Sequence, residues 1–100
     1  MYRQGDVLIE KVATIPAGAA VAPKAGRYVL AEGEATGHAH TIEARYGELV
    51  EKRGTLYLRL TAPAPLEHQE HATITLEPGT YRVTRQREWT DADEPRQVAD

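Results

Sequence analysis

The sequence predicts an all-β domain, a single small barrel or sandwich, with a long N-terminal loop and a polar C-terminal tail. Three observations predict it. Short β-branched runs recur between Gly and Pro residues. Leu56, Leu58 and Leu60 alternate with Thr55, Tyr57 and Arg59, the period of a strand with one buried side. No segment carries the apolar stripe of an amphipathic helix.

Taken in order, Val7 to Val12 is β-branched enough for a first strand. Ile15 to Gly26 is rich in alanine, but Pro16, Gly18, Pro23 and Gly26 break any helix there, and the segment reads as a long loop. Arg27 to Ala31 is a second strand, Glu32 to Gly37 a turn, and His38 to Ala44 a third strand by alternation. Gly47 and Gly54 punctuate a hairpin with strands near Glu48–Lys52 and Thr55–Thr61, which Pro63 and Pro65 end. Ala72 to Leu76 and Tyr81 to Trp89 are the last two long strands, joined by the turn Glu77-Pro78-Gly79-Thr80. A β-rich domain over 1–89 is expected, followed by an acidic tail over 90–100. The expected core is Val7, Ile9, Leu30, Ile42, Leu56, Leu58, Leu60, Ile74, Leu76, Tyr81 and Val83.

Composition narrows the chemistry. One hundred residues suit one domain, with 41% hydrophobic and 27% charged residues, a mix that folds. The chain has no Phe and only one Trp, so its core is thin. A homo-oligomer, most simply a dimer, is the natural way to add burial. Light scattering at micromolar concentration should report more than the monomer mass. A net charge of −3 gives no pull towards nucleic acid or an anionic membrane. The absence of cysteine excludes disulfides, thiolate metal sites and iron–sulfur clusters, and the absence of serine excludes a serine nucleophile. The polar start Met1 to Asp6 lacks the apolar region of a signal peptide, so a cytoplasmic location is expected.

The four histidines occur as two pairs, His38-Ala39-His40 and His68-Gln69-Glu70-His71. Residues two apart on a strand point the same way, so His38 and His40 share a face that Ile42 continues inward. Counting back by twos from Ala72, Ile74 and Leu76 gives His68 core parity, and a turn through Gln69 and Glu70 brings His71 round. Buried imidazoles need a metal, water or hydrogen-bond partners. The expectation is a divalent-metal pocket of His38, His40, His68 and His71, with Glu34, Glu43 or Glu70 as the carboxylate, ahead of a metal-free polar pocket or unrelated surface histidines. Zinc, iron, manganese and nickel all suit such donors. Neutral imidazole is the ligand, so binding weakens as pH falls through the His range near ~6.5. Three histidines with an open position would allow Lewis-acid or water-activating chemistry on a small-molecule ligand, although no particular reaction follows. The rival from another class is a non-enzymatic assembly or accessory protein whose histidines order a loop or an interface.

Gly37-His38-Ala39-His40 resembles the first motif of the cupin family, which places a His-x-His pair on one barrel strand, a Glu shortly after and a further His later. Here Glu43 comes too soon and Glu48 too late, and no Pro-x-Gly precedes the second histidine pair. The resemblance covers the middle of the chain and implies a β-barrel better than an activity. The whole chain more closely resembles a small uncharacterised family of bacterial and phage proteins. That resemblance rests on Tyr2-Arg3-Gln4-Gly5-Asp6-Val7-Leu8, on the two histidine pairs, and on Gly79 to Glu88. It implies a shared fold and site but no reaction.

Arg82, Arg85 and Arg87 make the last strand basic. Arg85 and Arg87 share the parity of Tyr81 and Val83 and are candidates for anion binding at a barrel mouth, against the plainer expectation that they pair with nearby acids or lie at a subunit contact. Gly33 to Gly37 lacks the Lys of a phosphate loop and reads as a turn.

Overall fold

Ten strands are found among the described residues: β1 (Tyr2–Gln4), β2 (Val7–Lys11), β3 (Ala19–Ala20), β4 (Arg27–Glu32), β5 (Ala39–Glu43), β6 (Gly47–Lys52), β7 (Thr55–Leu60), β8 (Ala64–Glu67), β9 (Ile74–Leu76) and β10 (Gly79–Arg85). The computed structural model describes residues 1–33 and 37–85. The acidic tail, Trp89, Glu34 and Arg87 fall outside those residues. The helical content described is a single 3-10 turn at Ala44–Tyr46.

The strands form two antiparallel sheets. One has the order β1-β2-β10-β7-β6-β3, the other β4-β5-β8-β9. Among the described residues they do not close into a barrel, so of the two expected architectures it is the sandwich that forms. Both sheets feed one core: Val7, Ile9, Leu49, Leu58, Leu60, Tyr81 and Val83 from the first, and Tyr28, Leu30, Ile42, Ala64, Leu66 and Leu76 from the second. The alternation of Leu58 and Leu60 with exposed Arg59 drives this, since a period of two puts every second side chain on the apolar face. Leu56 and Ile74, expected in the core, are only partly buried and pack against it. No helix among the described residues is long and apolar enough to cross a membrane.

Turn chemistry sets the register. Arg53 and Gly54 both take positive φ, 52° and 80°, between the paired residues Lys52 and Thr55. That is the two-residue hairpin whose twist matches the strands it joins. Gly5, at φ 59°, does the same work between Gln4 and Val7, and it brings the next residue, Asp6, into the interior.

Four elements differ from the sequence reading, the first being β1, which pairs with β2 from Tyr2↔Ile9 to Gln4↔Val7 in a stretch expected only to be a polar start. The loop over Ile15–Gly26 contains β3, which pairs with β6 through Ala19↔Glu51 and Ala20↔Val50. Gly18 permits the approach, because a Cβ there would lie 2.5 Å from the Glu51 carbonyl oxygen. Residues 64–67 form β8, although Pro63 and Pro65 are expected to end a strand there. Pro65 is tolerated because β5 pairs only with Leu66 and Glu67, so it lies beyond the end of that ladder. The strand expected over Ala72–Leu76 shortens to β9, and Ala72 is exposed.

Candidate functional site

The site lies where the β1–β2 hairpin and β10 of the six-stranded sheet meet β5 and β8 of the other. His40 is on β5 and is fully buried beside Ile42, as its parity requires. Opposite it, β4 carries a bulge: Val29 pairs with Thr41 and Ala31 with His40, leaving Leu30 over. His68 follows β8 directly and is 9% exposed. Its inward direction comes from the alternation Ala64, Leu66, His68, not from the strand that follows it. A bend over residues 69–71 then returns His71 to the same place.

All four predicted histidines converge. The ring centres of His40 and His68 are 4.3 Å apart, and those of His68 and His71 4.5 Å. His38 lies 5.6 Å from His68, edge-on, and His71 lies 5.9 Å from His40 with its ring nearly parallel. Of the predicted carboxylates, Glu70 reaches the cluster, with Oε1 3.4 Å from His38 Nδ1. Glu43 alternates to the other face of β5 and pairs with Arg45 at 3.1 Å. Glu34 lies outside the described residues.

Sequence reasoning missed the two polar residues that complete the site. Gln4 is 3% exposed. Its Nε2 donates to the carbonyls of Leu66 and Ala72, both at 2.9 Å, and its Oε1 sits 2.9 Å from His40 Nδ1. One amide thus ties β1 to β8, to the β8–β9 connection and to β5. Asp6 is equally buried. Its Oδ2 accepts from Arg85 Nε at 2.8 Å, and its Oδ1 lies 3.6 Å from His40 Nε2. The signal that could have found both is the Gly-Asp pair between two strand-like runs, which marks a two-residue hairpin turn with Gln4 just before it and Asp6 within it. Arg85, a candidate anion binder, is engaged with Asp6. Arg82 pairs with Glu10 on the outer face, and Arg87 lies outside the described residues.

Burial pushes the His40 imidazole down to about 4, with His68, His71 and Arg85 adding to the effect and Asp6 opposing it. His40 is therefore neutral at neutral pH and keeps a lone pair. Two atoms are conspicuous: Asp6 Oδ1 and His40 Nε2 are both buried and make no hydrogen bond among the described residues. A cleft of about 290 Å³, lined by Arg27, Thr41, Glu67, Gln69 and others, reaches the cluster at His68.

Fold and site together define a two-sheet antiparallel β-sandwich that carries a buried imidazole–carboxylate cluster. Over residues 3–86 the chain matches the family described as a domain of unknown function, DUF8820, and it belongs to that family. No curated protein and no solved structure matches it.

Proposed function

We propose that the protein is a binding module whose histidine pocket takes a divalent first-row metal ion. One observation carries the reading. Asp6 Oδ1 and His40 Nε2 face each other across 3.6 Å, both buried and neither satisfied by a hydrogen bond among the described residues. A buried carboxylate oxygen without a donor is costly, and a cation bound to both atoms removes that cost. Arg85 holds the far oxygen of Asp6 and so aims the near one at His40.

The remaining donors fit such an ion in kind. Two imidazoles on one zinc ion, with Zn–N of about 2.0–2.1 Å, place their ring centres roughly 5 Å apart. The observed separations of 4.3 to 5.9 Å straddle that distance. Among the described residues no three His, Asp or Glu side chains already surround one point. The reading therefore requires ring rotation on binding, with further ligands drawn from His38, His68 and His71. Imidazole and carboxylate together suit zinc, iron, manganese or nickel.

The test is the metal content of protein purified without a histidine tag, before and after exposure to zinc. A stoichiometric equivalent of metal is expected, and zinc at a hundred times its Kd should stabilise the fold by about 2.7 kcal/mol. His40→Ala should abolish both effects. Because it also strips Gln4 Oε1 of its partner, circular dichroism must show the fold retained. Asp6→Asn, which keeps the shape and removes the charge, should lose metal as well. Wild-type protein that neither carries metal nor responds to zinc would exclude the reading and favour the rival, a non-enzymatic accessory protein with structural histidines.

A further inference from the structure

We infer that Gln4 is a positioning residue that fixes the tautomer of His40, and that His40 and His68 are held in opposite tautomers. The assignment needs no metal; only its consequence for cation binding rests on the function proposed above.

The orientation of the Gln4 amide is not free. Two carbonyl oxygens, those of Leu66 and Ala72, lie 2.9 Å from one of its terminal atoms. A carbonyl only accepts, so that atom must be the NH₂ group, and the amide cannot flip without setting an oxygen against two oxygens. The other terminal atom is then Oε1, which also only accepts, and it lies 2.9 Å from His40 Nδ1. The ring must supply the proton. Neutral His40 is therefore the Nδ1–H tautomer, and its Nε2 lone pair points at Asp6.

His68 is constrained the other way. The backbone N–H of Glu70 donates to His68 Nδ1 at 3.0 Å. A nitrogen that accepts carries no proton, so neutral His68 is the Nε2–H tautomer. The two rings, 4.3 Å apart, thus differ in role. His40 offers a lone pair at Nε2, as a metal ligand must, with its other nitrogen held by an outer partner in the manner usual for ligating histidines. His68 offers an N–H at Nε2 and is not a ligand through that atom unless the Glu70 contact is rearranged.

The same geometry predicts a switch of tautomer. In Gln4→Leu the acceptor for Nδ1–H is gone, and the unsatisfied oxygen of Asp6 stands 3.6 Å from Nε2. The His40 proton then moves to Nε2, where Asp6 can accept it, and the lone pair leaves the site.

The experiment is long-range ¹H–¹⁵N correlation on metal-free, ¹⁵N-histidine-labelled full chain, which distinguishes protonated from unprotonated ring nitrogens. Wild-type protein should show His40 protonated at Nδ1 and His68 at Nε2. Gln4→Leu should show His40 protonated at Nε2 with His68 unchanged, a result that mere loosening of the fold would not give. Wild-type His40 protonated at Nε2, or His40 and His68 sharing one tautomer, would overturn the assignment, and this arm does not depend on how well the variant folds. Titration with zinc alone is the second arm. Gln4→Leu should weaken zinc binding by roughly 10–100-fold, the usual loss on removing an outer partner of a ligand. Zinc binding equal in the two proteins would overturn the positioning role. Absence of zinc binding in both would count against the metal reading and leave the tautomer assignment to be decided by the wild-type spectrum.

Discussion

Metal-free protein is expected to lose roughly 3 kcal/mol of folding stability between pH 6.5 and pH 4 through His40. Burial holds this imidazole down from 6.5 to about 4 in the folded chain. Once unfolded, the ring is solvated and returns to its ordinary value near ~6.5. Above pH 6.5 both states are neutral and the full stability is present. As pH falls below that point the unfolded chain gains a proton that the folded chain refuses, so stability drops until about pH 4 and changes no further from this source. The size follows from about 1.4 kcal/mol for each pH unit. The groups that face the ring are Asp6, which favours its charge, and His68, His71 and Arg85, which oppose it. Urea denaturation in a chelator at pH 7.5 and pH 4.5 measures the loss. His40→Gln lacks the titrating group and should show a markedly smaller drop in the same window. Parallel losses in both proteins would show that other groups, such as the carboxylates, cause the decline.

Gly47→Ala should be among the most damaging single substitutions, costing more than about 3 kcal/mol or preventing accumulation of folded protein. Gly47 opens β6 and pairs with Leu60 on β7. Its backbone is extended, with φ 169°, so conformational freedom is not the issue. Space is. A Cβ at this position would lie 1.9 Å from the Arg59 carbonyl oxygen and 2.9 Å from the Arg59 carbonyl carbon. Both are backbone atoms in the middle of the longer sheet and cannot swing away as a side chain can. The chain must give up the end of the β6–β7 ladder, and with it the contact that brings Leu49 and Leu58 together in the core. Thermal melts of Gly47→Ala beside Gly54→Ala separate the two causes. Gly54, at φ 80°, has open space around it, so its substitution should show only the smaller cost of a left-handed turn. Equal effects would mean that conformation, not the clash, governs both.

The sequence by itself determined the β class, the hairpin at Gly54 and most of the core. Each depends on local periodicity or on a turn that a pair of neighbouring residues can specify. It also determined that His38 and His40 share a face and that His40 points inward with Ile42, because alternation along a strand is independent of what the strand packs against. It did not reveal β1, nor, among the strands that rest on distant partners, β3 and β8. Both depend on a neighbour supplied from elsewhere: Gly18 matters only because β6 passes it, and Pro65 is permitted only because the β5 ladder stops short. The convergence of the histidine pairs was expected, but the reason for His68 was misplaced, since its direction is set by the unforeseen β8. Gln4 and Asp6 were not legible as site residues. A Gln and an Asp near a polar terminus look solvated until a second sheet covers them, and nothing local states that Leu66 and Ala72 will bring their carbonyls to the Gln4 amide. Tertiary structure alone decided which carboxylate faces His40 and which ring nitrogen carries the proton. Both rest on contacts between residues as far as 79 positions apart in the chain, and no short-range pattern encodes them.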